Sequence, residues 1–116
     1  MKRARLMNTG VDTGLRILIA DTAVERMRGL LGRDHLASAE GLLLRPCRSV
    51  HTFGMRFSID VLFLDRDGCV VACHADTPAR RLLFNFRATQ TLELAAGAAR
   101  IRTIEPGDIL AFEAIP

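Results

Sequence analysis

Between Arg48 and Asp65 the chain gathers side chains that can do chemistry: Arg48, Ser49, His51, Thr52, Met55 and Arg56 lead into an apolar run, Ile59 to Leu64, interrupted by Asp60. A carboxylate without a partner is expensive to bury, so Asp60 must keep water, lose its charge or hold a donor. His51 and Arg56 are the nearest donors in sequence. If a turn at Gly54 folds the loop back over the strand, His51, Met55, Arg56 and Asp60 line one side of a pocket. In that arrangement Arg56 or Arg33 would fork onto a small anionic ligand, His51 would exchange a proton, and Asp60 would orient either of them. The competing reading is an internal polar staple, in which Asp60 accepts hydrogen bonds from backbone N–H groups or Arg56 and Met55 fills the core.

Other constellations are weaker. Cys47 with His51, and Cys69 with Cys73 and His74, are zinc-type ligands, but on one continuous strand Cys69 and Cys73 would lie roughly 13 Å apart, beyond the ~7 Å between Cα atoms that a disulfide allows and the ~5 Å between sulfurs that one zinc allows. No metal and no cofactor is expected. Cys47 or Ser49 with His51 as base lacks a third catalytic group and an oxyanion loop. The stretch Arg80-Arg81-Leu82-Leu83-Phe84-Asn85-Phe86-Arg87 interleaves aromatics with cations, as a protein or RNA interaction module would. The preferred reading is a covering loop, with Phe84 and Phe86 closing one end of a barrel and Arg80 and Arg81 in water. A broad basic face is missing, so nucleic acid is disfavoured as a partner. Glu93, between Leu92 and Leu94, reads as ordinary strand alternation, and Asp108 as a turn residue.

The elements that must position these groups follow from length and pattern. A chain of 116 residues makes one domain. Met1 to Gly14 lacks apolar periodicity and reads as a flexible lead-in, with the globular part spanning residues 15–116. The formal charge of +3 comes from fifteen arginines and a single lysine, Lys2, set against 13 acidic residues. That balance fits a solvated surface better than a dedicated anion-binding one. No window is apolar for long enough to span a bilayer, and the basic start at Lys2, Arg3 and Arg5 is not followed by the uninterrupted apolar core of an export signal. Three cysteines without such a signal imply reduced thiols in a cytoplasmic protein.

Leu15 to Ala20 predicts a strand, and Thr22 and Glu25 have the spacing of a capping box opening a helix that ends near Gly32. On that helix Val24, Met27 and Leu31 form the expected buried stripe, widened by Leu30. Gly41 to Leu44, Ser49 to Phe53, Ile59 to Leu64 and Cys69 to Cys73 predict further strands, with Asp67-Gly68 as a tight hairpin turn. Residues 76–90 read as a long irregular connection, Thr91 to Ala95 as a strand, and Ile101 to Ile104 with Ile109 to Glu113 as a closing pair. Short strands, one or two short helices and frequent turns predict an α+β domain, mainly antiparallel β, folded as a small barrel or sandwich.

These residues resemble an uncharacterised prokaryotic family, domain of unknown function 192. The resemblance rests on Arg26, Gly29-Leu30-Leu31 and Arg33, on Gly41, and on the block Val50-His51-Thr52-Phe53-Gly54-Met55-Arg56-Phe57. It continues through Ile59-Asp60-Val61-Leu62-Phe63-Leu64-Asp65, Gly68, Leu92-Glu93-Leu94, Gly97 and Gly107-Asp108. Ser58 stands where the family usually has proline. The resemblance implies a compact β-rich domain with a short helix and no established activity. The first expectation is therefore a small ligand-binding or accessory domain, the second an enzyme acting on a small anionic substrate; oligomeric state is left open.

Overall fold

The computed structural model describes all 116 residues. Along the chain run β1 (Lys2–Asn8), β2 (Val11–Ala20), α1 (Ala23–Arg28), β3 (Glu40–Leu44), β4 (Ser49–His51), β5 (Ile59–Leu64), β6 (Val70–Thr77), β7 (Leu82–Phe84), β8 (Gln90–Ala95), α2 (Ala98–Ile101) and β9 (Leu110–Ala114). Seven strands form one sheet in the order β6-β5-β8-β3-β2-β1-β9, and β4 pairs with β7 in a separate two-stranded ribbon. Every pairing is antiparallel except β2 with β3. A parallel pair needs a crossover, and the segment carrying α1 supplies it.

All six residues of β5 are buried. Ile59, Val61 and Phe63 join one core cluster with Leu30, Leu42, Leu44 and Val50. Leu62 and Leu64 point the other way, into a second cluster with Leu43, Leu92, Leu94, Ala98 and Ala99. A strand covered on both faces has no use for polar alternation, which is why this run is almost wholly aliphatic and aromatic. Asp60 sits on the α2 side of the sheet and is fully buried. Its Oδ1 accepts from the backbone N–H of Asp76 at 2.9 Å and of Gly97 at 3.2 Å, and its Oδ2 from that of Ala99 at 3.1 Å. The carboxylate thus staples β6 and the start of α2 onto β5.

The sheet curls without closing. Its edge strands meet at a single bridge, Cys69 with Ile109, supported by Val70 N–H to Asp108 O at 2.9 Å and Leu110 N–H to Gly68 O at 2.9 Å. Gly68 has φ +86, and a Cβ there would lie 2.1 Å from the Leu110 carbonyl oxygen. The hairpin predicted at Asp67-Gly68 therefore also allows the two edges of the sheet to approach.

The N-terminal segment is not a lead-in. β1 lies between β2 and β9, with Ala4 and Leu6 fully buried. Its alternation is short and its outward positions are charged, so the signal becomes readable only with the distant partner β9 in place. That partner also revises the closing pair: the chain from Ala98 to Ile101 is helical, and the last strand pairs with the first. Helix α1 begins with the predicted capping box, Thr22 Oγ1 accepting from Glu25 N and Glu25 Oε1 from Thr22 N, both at 3.2 Å. It stops at Gly29 rather than Gly32, and its expected stripe is outside: Val24 is 72% and Met27 79% exposed, while Leu30, just beyond the helix, is buried. Six helical residues are too few for a stripe to turn onto the core. Residues 76–90 are partly ordered as strand: β6 runs to Thr77 and β7 pairs with β4.

Two substitutions check these constraints. Asp60→Asn keeps the shape but turns one acceptor oxygen into a donor facing a backbone N–H, so chemical denaturation should show a loss of about 2–4 kcal/mol. Gly68→Ala meets both a positive φ and the Leu110 carbonyl, and the same measurement should show a loss of about 2 kcal/mol or more.

Candidate functional site

On the face of the sheet opposite Asp60, a cleft of about 370 Å³ opens between α1 and the segment that joins β3 to β4. Its α1 side is formed by Arg26, Met27, Arg28 and the turn Gly29-Leu30-Leu31, and its other side by Leu44 and the run Pro46 to His51, with Met55 at the edge. Arg26 holds the two sides together: its Nη1 donates to the carbonyl of Asp21 at 3.2 Å and to that of Arg45 at 3.4 Å. Cys47 Sγ donates to Ser49 O at 3.1 Å. Inside the lining, apolar Leu30, Leu44 and Val50 give way to one carboxyl group, that of Glu93.

Glu93 is paired with Leu42 of β3 and Val61 of β5, so it lies in the middle of the sheet on the cleft face while Leu92 and Leu94 fill the opposite core. It is 6% exposed. None of the protein's side-chain hydrogen bonds or ion pairs involves its carboxyl. Burial alone pushes its pKa up from 4.5 to about 7; no guanidinium approaches closely enough to hold it as a carboxylate. A carboxyl of this kind donates a hydrogen bond when protonated and accepts a proton when ionised, and both forms are populated near neutrality.

The groups expected to converge on the loop are divided by the sheet. His51 and Met55 line the cleft. Asp60 does not: its partners are three backbone N–H groups, and neither His51 nor Arg56 is among them. On β5, side chains one residue apart face opposite ways, and Asp60 shares the α2 side whereas Val61 shares the side of Glu93. Arg56 extends outward to Asp34, and Arg33 lies 3.8 Å from Glu40; both are outside the cleft. The intended lid residues are also elsewhere. Phe84 and Phe86 close nothing: they are 52% and 82% exposed and pack edge-on against each other at 4.9 Å. Arg80 and Arg81 are exposed as expected, and their backbone groups anchor the ribbon through Thr52, whose Oγ1 donates to Pro78 O at 2.7 Å and accepts from Arg81 N at 2.8 Å. No group of three or more His, Cys, Asp or Glu side chains gathers in metal-binding proximity. The Cys73 thiol is pushed up by burial and then by the charge of Asp60, which keeps it a poor nucleophile.

Glu93 escaped the sequence reading because a single acid between two leucines is also what a half-exposed strand looks like. No local signal marked it: its setting, in a strand Gln90–Ala95 paired on both sides with Gln90 and Thr91 also buried, exists only in the assembled sheet.

Known proteins agree with this architecture. A protein from Sinorhizobium meliloti 1021, described as a "putative transcription regulator", superposes with a TM-score of 0.81 at 23% identity, over 96% of this chain and 92% of its own. A protein of unknown function from Novosphingobium aromaticivorans DSM 12444 gives 0.78 at 24% identity, over 92% and 83%. These likenesses establish the fold. No curated protein matches the chain. The family model DUF192, Uncharacterized ACR, matches residues 5–112, nearly the whole of the sheet from β1 to β9, and the chain belongs to that family.

Proposed function

We propose that this is a cytoplasmic small-molecule-binding domain whose ligand, a compact organic anion with an apolar body, enters the cleft beside α1 and takes a hydrogen bond from Glu93. One observation carries the reading: a carboxyl buried in the middle of the sheet, without a protein partner, lines the cleft. A fold that leaves such a group in place does so at a loss of stability, and buried groups of this kind concentrate at functional sites. Arg26, Arg28 and Arg48 among the lining residues favour a negative ligand, and the volume of about 370 Å³ suits a small one. In this reading His51 and Met55 keep a place in the site, Arg33 and Arg56 are surface ion pairs, and Asp60 is a staple. The same raised acid, beside Cys47, Ser49 and His51, supports as second reading an enzyme that transfers a proton on such an anion.

The direction of the Glu93 shift sets a pH test. Its folded pKa, about 7, lies above its ordinary 4.5, so between these values the folded chain holds a proton that the unfolded chain has released. Stability is then greatest below the ordinary value and falls as pH rises to the folded one, by about 3 kcal/mol in all. Denaturation of Glu93→Gln should lack that slope and show a more stable protein than the native one at about pH 8. For binding, a chemical-shift screen with small carboxylates and phosphate monoesters should perturb amides of residues 44–51 and Glu93. Glu93→Ala should weaken the hit about tenfold, the equivalent of one lost hydrogen bond, and Asp60→Asn should leave it intact in the folded fraction. The reading fails if no compound perturbs the cleft or if Glu93→Ala binds as well as the native protein; turnover of a hit by the native protein and not by Glu93→Gln would select the enzyme.

A further inference from the structure

The β7 side of the β4–β7 ribbon presents apolar side chains that the cleft does not use. Val50 and Leu83 pair and face the core, which sends Leu82 and Phe84 to the outside. Leu82 is 73% exposed, and Phe84, Phe86 and Phe53 are exposed beside it in the chain or the ribbon. Phe53 adjoins the ribbon through His51, whose ring lies 6.0 Å away and which pairs with Leu82. Cations flank it: Arg80 and Arg81 precede β7 and Arg87 follows it. None of these three arginines has an acidic partner. Residues 77–92 contain no Asp or Glu, and neither do residues 41–59. The acidic residues of the chain lie outside both stretches.

We propose that this ribbon docks the domain on an anionic lipid surface, with Leu82, Phe84, Phe86 and Phe53 entering the headgroup boundary and Arg80, Arg81 and Arg87 meeting lipid phosphates. Charge decides the sign of the partner and shape decides its kind. Three arginines without an acidic partner select an anion. The apolar groups are each more than half exposed, and a bilayer boundary accepts separately exposed side chains where a folded partner would need a matching surface. Stacked bases fit less well. Leu82, one of the most exposed members, has no ring, and Phe84 and Phe86 stand at 87° to each other and do not form a common platform. The arrangement is peripheral: no helix is long and apolar enough to cross a membrane.

The test is co-sedimentation of the full chain with vesicles of phosphatidylcholine alone and of phosphatidylcholine mixed with phosphatidylglycerol. The native protein should bind the mixed vesicles, release them as salt is raised, and bind phosphatidylcholine weakly. Leu82→Ser with Phe86→Ser, and separately Arg80→Gln with Arg81→Gln and Arg87→Gln, should each reduce binding by about tenfold or more. Both sets alter exposed side chains, and an unchanged amide spectrum will show that the fold is kept. Glu93→Gln should bind vesicles like the native protein, which separates this proposal from the cleft. The proposal is overturned if the folded native chain ignores the mixed vesicles or if both variant sets bind them equally. It is also overturned if the phenylalanines prove to mediate oligouridine binding or self-association in place of vesicle binding.

Discussion

Burying both faces of a strand leaves a polar side chain on it only one way to be stable, which is for the surrounding backbone to supply the donors. β5 is that strand. Asp60 draws the N–H groups of Asp76, Gly97 and Ala99 to a single carboxylate, and those residues come from the bulged end of β6 and the turn that opens α2. Through it three otherwise separate segments share one anchor. The helix it secures contributes Ala98 and Ala99 to the core cluster that also holds Ile17, Leu43 and Leu92, so the electrostatic and hydrophobic constraints act on the same residues. Removing donors from a buried acceptor is costly because water cannot replace them.

The two faces of the sheet then have different characters. On the Asp60 side the buried carboxylate has three backbone donors and sits against the core cluster of Ala98 and Ala99. On the other side α1 is short, its outer residues stand in solvent, and a gap remains over the middle of β8. Two buried carboxyl groups, one on each side, illustrate the difference: Asp60 is enclosed by donors, whereas Glu93 has no protein donor and faces the cleft. Stability considerations alone would favour a leucine or glutamine at Glu93. The surrounding geometry is ordinary; the choice of residue is what departs from the needs of folding.

Much of the architecture was legible in the residues. The Ile59–Leu64 run, the Asp67-Gly68 turn and the capping box at Thr22 each encode local structure in a few adjacent side chains, and each forms as read. What could not be read is mainly long-range. Lys2–Asn8 looks like a tail until it is placed between β2 and β9, and Ile101–Ile104 looks like a strand until Gly97 opens a helical turn against β8. Asp60 was rightly singled out as needing donors, and the staple reading named backbone N–H groups among them; which backbone groups they are could not be read, because backbone donors carry no sequence label. Glu93 shows the converse problem, since whether a strand's second face meets water depends on what packs there and not on the strand itself.

The pairing of β1 with β9 bears on how the chain is made. Ala4 lies opposite Ala114, so the first strand finds one of its two neighbours only once synthesis has passed Ala114. Until then the outer edge of β1 is open, a row of unpaired backbone groups on a nascent chain whose central strands are strongly apolar. Sheets completed by distant partners fold slowly and are most vulnerable to association in that interval. Arg3 and Arg5, charged residues on the exposed stretch, are well placed to keep neighbouring nascent chains apart while β9 is still being made.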